Sequence, residues 1–257
     1  ITIRTLREGF PFVEVLINGH GPFRMLFDTG ANASLLTPQA AKIAELSFDH
    51  RSILTTFAGD RIVPGGSRNV IEVGGVSQSN LPILVLDLPE VHKIDSRADG
   101  VLGQSFFHRI AYLLDYKQKR LWLGLDATRE AQRLANEVAA VRFDGRTVLP
   151  VTLEPGGPVW QLTMDSGASN LVIDCNLGCP RAADLQRGAS LATHNGERPV
   201  SHGTLRNVAI GGLRMPPADT VMLQNVSTEH WDDGVVPTRW FDAFYVKDQV
   251  VRFDAAR

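Results

Sequence analysis

Cysteine is scarce in this chain of 257 residues, which has only Cys175 and Cys179. Two thiols are too few for a disulfide framework or a four-ligand zinc site. They leave open one small-loop disulfide or two free thiols. An excess of one charge is also missing. Lys and Arg number 26 against 28 Asp and Glu, a net charge of −2, which excludes the basic footprint of a nucleic-acid partner or a membrane surface. Long apolar runs are absent too. Stretches such as LPILVLDL at 81–88 fall far short of the roughly 20 residues that a membrane-spanning helix needs. The seven histidines are scattered without His-Glu-x-x-His spacing, so no metal site is predicted, and no cofactor. NGHGPF at 18–23 lacks the third glycine or lysine of a nucleotide loop, and GQSFF at 103–107 lacks the closing glycine of a nucleophile elbow.

What is present is a repeat. FVEVLINGHGPFRMLFDTGA in the first half faces VLPVTLEPGGPVWQLTMDSGAS in the second, and Asp28 precedes Asp165 by 137 positions. Gly59 and Gly196, and Gly74 and Gly211, keep the same offset. Arg68-Asn69-Val70 returns as Arg206-Asn207-Val208 at 138, and Gly100 as Gly234 at 134. A series of landmarks in constant order predicts two homologous lobes, 1–126 and 141–257. Between them, Ala127, Ala131, Leu134 and Val138 fall near helical spacing, which predicts a linker helix over 127–140. Elsewhere short alternating runs are punctuated by Gly, Pro and Asn, the pattern of strands. TPQAAKIAEL at 37–46 predicts a short helix, with Thr37 as its N-cap and Pro38 at its first position. The fold class is therefore mainly β, with a few short helices.

Each repeat carries an aspartate, a hydroxyl residue and a glycine: Asp28-Thr29-Gly30 and Asp165-Ser166-Gly167. One such triplet is ordinary turn chemistry. Two at matched points of a repeat meet at a pseudo-twofold axis. Paired carboxylates cannot both ionise cheaply, so one holds a proton and the other is free to act as a base. A water between them could be activated by one while the other polarises a carbonyl, placing acid and base in a single site. Thr29 and Ser166 can hydrogen-bond to the opposite loop. Gly30 and Gly167, lacking Cβ, allow close backbone approach.

On these residues the chain resembles the pepsin/retropepsin family of aspartic peptidases. The matching elements are Asp28-Thr29-Gly30-Ala31, Asp165-Ser166-Gly167-Ala168 and the lobe-closing Val101-Leu102-Gly103. Alanine after each glycine, and the small lobes, look like a bacterial-type, single-chain pair of retropepsin-like lobes. The resemblance implies a bilobal acid-protease fold and an aspartic endopeptidase with Asp28 and Asp165 catalytic and Thr29, Gly30, Ser166 and Gly167 supporting them. It implies hairpin flaps over the cleft: Phe57, Ala58 and Gly59 in the first lobe, and His194, Asn195 and Gly196 in the second. The partner is then a peptide or protein substrate, and a monomer suffices. A small disulfide after the second motif would suit an exported protein, periplasmic or secreted, with its signal or anchor removed.

Three features depart from the family pattern. Pro237 stands where the first lobe has Gly103, which predicts a reshaped second closing element. Neither flap candidate holds the tyrosine usual in pepsins; Phe57 or His194 would fill that space. Cys175 and Cys179 have no first-lobe counterpart. These departures motivate a competing reading, a non-catalytic peptide-binding module on the same fold. Trp122, Trp160, Trp231 and Trp240 read as packing residues, and Asp99 and Asp233, each before a glycine, as turn residues.

Overall fold

In the computed structural model, which describes residues 1–5, 9–56, 59–175, 178–193, 196–223 and 232–256, the alternating runs become strands and the protein is mainly β and bilobal. Strand Pro11–Ile17 shows the reason at residue level. Val13, Val15 and Ile17 are buried while Glu14 between them is exposed, the period-2 signature of a strand with one face on a core.

The first half forms an eight-stranded sheet. Its order is Arg4–Thr5, Pro11–Ile17, His20–Phe27, Gly100–Leu102, Ser34–Leu36, Val76–Val85, Gly59–Val73 and His50–Thr56. Pro11–Ile17 also pairs with Gly59–Val73, which closes six of these strands into a barrel. The second half forms a ten-stranded sheet with the same local pattern. Its core order is Ala183–Thr193, Gly196–Leu205, Ala218–Leu223, Leu171–Asp174, Gly234–Pro237, Val159–Asp165 and Arg146–Thr152. Where the first half has the 15-residue strand Gly59–Val73, the second is interrupted between Gly196–Leu205 and Ala209–Ile210. The interruption falls on the repeated Arg-Asn-Val: a register irregularity at Asn69 in one half, a break at 206–208 in the other.

A third sheet joins the halves, in the order Arg120–Leu123, Tyr112–Asp115, Phe241–Lys247, Val250–Ala255 and Asn136–Ala139. The main hydrophobic cluster runs through all three sheets and includes Phe27, Phe107, Tyr112, Leu162, Phe241, Phe244 and Phe253. Each such fully buried aromatic contributes roughly 1.5–3 kcal/mol of transfer free energy. No helix of the described residues is long and apolar enough to cross a membrane.

The predicted helix at 37–46 is present as Pro38–Ile43, and the Thr37 side chain accepts the Ala40 N–H at 3.2 Å. The linker is a correction. Helix occupies Gly124–Glu130, one 3-10 turn follows over Ala131–Arg133, and Asn136–Ala139 is a strand. Ala127, Ala131 and Leu134 do share a cluster with Leu113, Ala243 and Tyr245. Val138 belongs instead to the strand, opposite Val251, buried between exposed Glu137 and Ala139. A single apolar residue fits both periods, so spacing alone could not separate them.

Candidate active site

Strands His20–Phe27 and Val159–Asp165 deliver Asp28 and Asp165 to facing loops. Thr29 Oγ1 donates to the Met164 carbonyl at 2.7 Å and accepts the Ser166 N–H at 3.1 Å. Ser166 Oγ donates to the Phe27 carbonyl at 2.6 Å and accepts the Thr29 N–H at 3.0 Å. Four hydrogen bonds thus tie the loops reciprocally, each hydroxyl serving once as donor and once as acceptor. Thr29 is 0% and Ser166 4% exposed, so removing either hydroxyl would strand buried backbone groups.

Each carboxylate lies over the glycine of the opposite loop. A Cβ on Gly30 would lie 2.6 Å from Asp165 Oδ2, and one on Gly167 2.6 Å from Asp28 Oδ2. Asp28 Oδ1 accepts the N–H groups of Gly30 at 2.9 Å and Ala31 at 3.2 Å, and Asp165 Oδ1 accepts that of Gly167 at 2.7 Å. Asp28 is buried and Asp165 half-buried. Burial pushes the Asp165 carboxyl well above the usual carboxylate range, and the charge of Asp28 and a hydrogen bond to it push it further. Two carboxyl groups in contact, one of them held toward its protonated form, can present an acid and a base to one molecule.

The elements beneath the loops differ between halves. In the first, the Gly103 N–H donates to Ser34 Oγ at 3.2 Å, and Ser105 Oγ accepts the Ser34 N–H at 3.1 Å. Gln104 Nε2 reaches the Thr29 carbonyl at 3.1 Å. At the matched positions the second half has Pro237, Leu171, Arg239 and Thr238. Pro237 does reshape the closing element: its strand runs one residue further, Gly234–Pro237 against Gly100–Leu102, and leads into a 3-10 turn, Thr238–Trp240, where the first half has the helix Gln104–Phe107, while the ladder register is kept. Thr163↔Val235 and Met164↔Val236 repeat Leu26↔Val101 and Phe27↔Leu102. Proline lacks the N–H that Gly103 donates, and Leu171 lacks the hydroxyl that would accept it, so donor and acceptor are lost together. Arg239 instead donates from its guanidinium to the Ser169 carbonyl.

Asp99 and Asp233 do more than turn the chain. Asp99 Oδ2 accepts the Arg24 N–H at 2.8 Å, and its own N–H donates to the Arg24 carbonyl at 2.8 Å. Asp233 does the same with Gln161 at 2.7 Å and 2.7 Å. Each aspartate extends the ladder of the strand that leads to Asp28 or Asp165, at the residue four positions before it. Their repetition in the sequence was the signal for this role.

Both flap candidates fall on hairpins. One ladder runs to Thr56↔Gly59 and the other to Thr193↔Gly196. Phe57, Ala58, His194 and Asn195 lie outside the described residues, as does Trp231. Their outer strands, His50–Thr56 and Ala183–Thr193, are the edges of the two large sheets. Trp160 is buried and Trp122 and Trp240 pack against the core clusters. Cys175 and Cys179 form a disulfide at the end of strand Leu171–Asp174. Gln104, Tyr112, Tyr116 and Thr238 beneath the loops were not singled out by sequence reasoning, because no repeat or motif marks them.

Residues 13–106 match the family described as aspartyl protease. That span holds Asp28, the first hairpin and the closing Gly103. No curated protein matches the chain.

Proposed function

We propose, for a chain whose residues 13–106 match the aspartyl protease family, an aspartic endopeptidase that hydrolyses peptide bonds through water activated by Asp28 and Asp165. The observation that carries this reading is the seating of each carboxylate on the opposite glycine, with Asp165 driven toward its protonated form.

Asp165 then holds the shared proton and Asp28 is the base. Asp28 takes a proton from the water as its oxygen attacks the peptide carbonyl carbon, while Asp165 gives its proton to the carbonyl oxygen, leaving a neutral gem-diol. Asp28, now protonated, gives its proton to the nitrogen while Asp165 takes one from a diol hydroxyl; the C–N bond breaks, a carboxyl and an amine terminus form, and the starting protonation is restored. The backbone N–H groups of Gly30, Ala31 and Gly167 orient the carboxylates for both steps. The outer strands of the two hairpins, at the edges of their sheets, suit an extended substrate that adds as a strand. Gly59 and Gly196, with Phe57, Ala58, His194 and Asn195, are the proposed substrate-facing tips. Both halves of the site come from one chain, so a monomer is sufficient, and the disulfide fits export to an oxidising compartment.

Digestion of an unbiased peptide mixture by the wild type and by Asp28→Asn, from acid to neutral pH, tests the reading. Cleavage by the wild type alone supports it. Equal cleavage by both proteins sinks it. Peptide binding without cleavage at any pH would favour a binding module on the same fold.

A further inference from the structure

The strand Tyr112–Asp115 lies in the sheet that joins the two halves, and Tyr116 follows it directly. Residues four apart on extended chain share a face, and here both rings flank Phe244, with centroids 6.3 Å (Tyr112) and 6.4 Å (Tyr116) away. The two phenols reach opposite Asp loops. Tyr112, fully buried, accepts Gln104 Nε2 at 3.3 Å, and that nitrogen also donates to the Thr29 carbonyl. Its ring stands edge-on to Phe27, the residue before Asp28, at 5.7 Å. The Tyr116 hydroxyl lies 2.7 Å from Thr238 Oγ1. Thr238 is 0% exposed and follows Pro237, the ladder partner of Asp165.

We propose that Tyr112 and Tyr116 are positioning residues, one for each Asp loop, acting through Gln104 and Thr238. The proposal rests on the dyad reading above. A phenylalanine at either place would fill the same space, so ring packing alone does not account for a hydroxyl aimed at Gln104, which holds the Thr29 carbonyl, or at Thr238, which follows the ladder partner of Asp165. Burial raises the Tyr116 phenol above its ordinary range, and the charges of Asp165 and Asp28 raise it further. The charged and titratable groups around it are those two carboxylates, Arg239 on the turn after Pro237, and the Lys117–Asp242 pair beside its backbone. Removing the phenol oxygen leaves the surroundings of Asp165 less polar, which disfavours its charged form.

The test follows the Asp165 carboxyl by carbon NMR titration in protein labelled at aspartate, together with kcat and KM on a cleaved peptide. Tyr116→Phe is expected to move the Asp165 midpoint to higher pH and to lower kcat about tenfold with KM little changed. Thr238→Val, of nearly the same shape, should do the same, and the double variant should be no worse than either single one. Tyr112→Phe should lower kcat while leaving the Asp165 midpoint in place. Should Tyr116→Phe not fold, Thr238→Val carries the same reading. An unmoved midpoint in the folded Tyr116→Phe and Thr238→Val variants overturns the proposal, as does strict additivity in the double variant. If the wild type cleaves nothing, the endopeptidase reading falls, and the midpoint still decides the role of Tyr116.

Discussion

The two halves of the molecule reach one geometry by different chemistry. Under Asp28, the closing strand is held by a knot of small polar groups, Ser34, Gly103 and Ser105, with Gln104 reaching the Thr29 carbonyl. Under Asp165 the same positions hold Leu171, Pro237, Arg239 and Thr238, and the strand register is unchanged. The backbone at the junction records the difference: Gly103 has φ −101° and ψ −174°, Pro237 φ −70° and ψ 127°. The second conformation is one proline prefers; the first is not. What has to be kept is the ladder that presents each carboxylate. The side chains behind it can change, provided that donor and acceptor change together.

The comparison breaks most sharply at the paired carboxyls, where each is seated on the opposite glycine. Gly30→Ala and Gly167→Ala each drive a methyl into the opposite carboxylate. Each should reduce peptide cleavage about 10²–10⁴-fold, the range set by losing positioned acid–base catalysis, as should Asp28→Asn and Asp165→Asn. Steady-state assays on folded variants check this, and a marked inequality between the two glycines would show that the seating of one carboxyl matters more than that of the other. The Asp165 substitution has a second consequence. A carboxyl raised in the folded state contributes stability that is full below the ordinary carboxylate range and is lost as pH rises through its elevated folded value. Thermal melts should show wild type losing stability relative to Asp165→Asn over that interval; a constant difference would contradict the assignment of the proton.

Each closing residue suits its own junction, so exchanging them should destabilise both halves. Gly103→Pro removes the donor to Ser34 and sets a ring against the carbonyls of Ala31 and Ala33, at a cost of about 3 kcal/mol or more. Pro237→Gly frees the unfolded chain, about 0.4–1 kcal/mol, and at this buried position adds an N–H that Leu171 cannot accept, about 1–3 kcal/mol more. Denaturant unfolding measures both, and no loss in Pro237→Gly would mean that the second junction does not depend on its proline. Asp99→Ala and Asp233→Ala follow. Each leaves one strand N–H unpaired, at Arg24 or Gln161, and each should cost about 1–3 kcal/mol. Near-equal values would extend the symmetry to the strands that carry the dyad.

The repeat made the outline of this fold legible. Alternating runs, Gly-Pro turns and two Asp-hydroxyl-Gly triplets at one offset announce paired β lobes and the residues at their meeting point. The reciprocity of the Thr29 and Ser166 bonds could be inferred because the axis requires it. The bracing beneath could not. Gln104 meets Tyr112 only because a helix over Gln104–Phe107 turns back onto the joining sheet, and Tyr116 meets Thr238 across 122 positions. Neither contact leaves a local pattern. Pro237 was legible as a change in the second closing element, and the matching change of Ser34 to Leu171 stands at the repeat's own offset of 137. Val138 misled because one apolar residue satisfies a helix and a strand equally.

The order of the joining sheet has a mechanical consequence. Phe241–Lys247 and Val250–Ala255, from the second half, lie between Tyr112–Asp115 on one side and Asn136–Ala139 on the other. The earlier chain therefore clasps the later hairpin from both flanks. A proteolytic nick in the Asp144–Gly145 turn would sever the backbone without releasing either fragment, since separation would require peeling that hairpin out along two ladders at once. The nicked molecule should migrate as one species in native gels and as two under denaturing conditions.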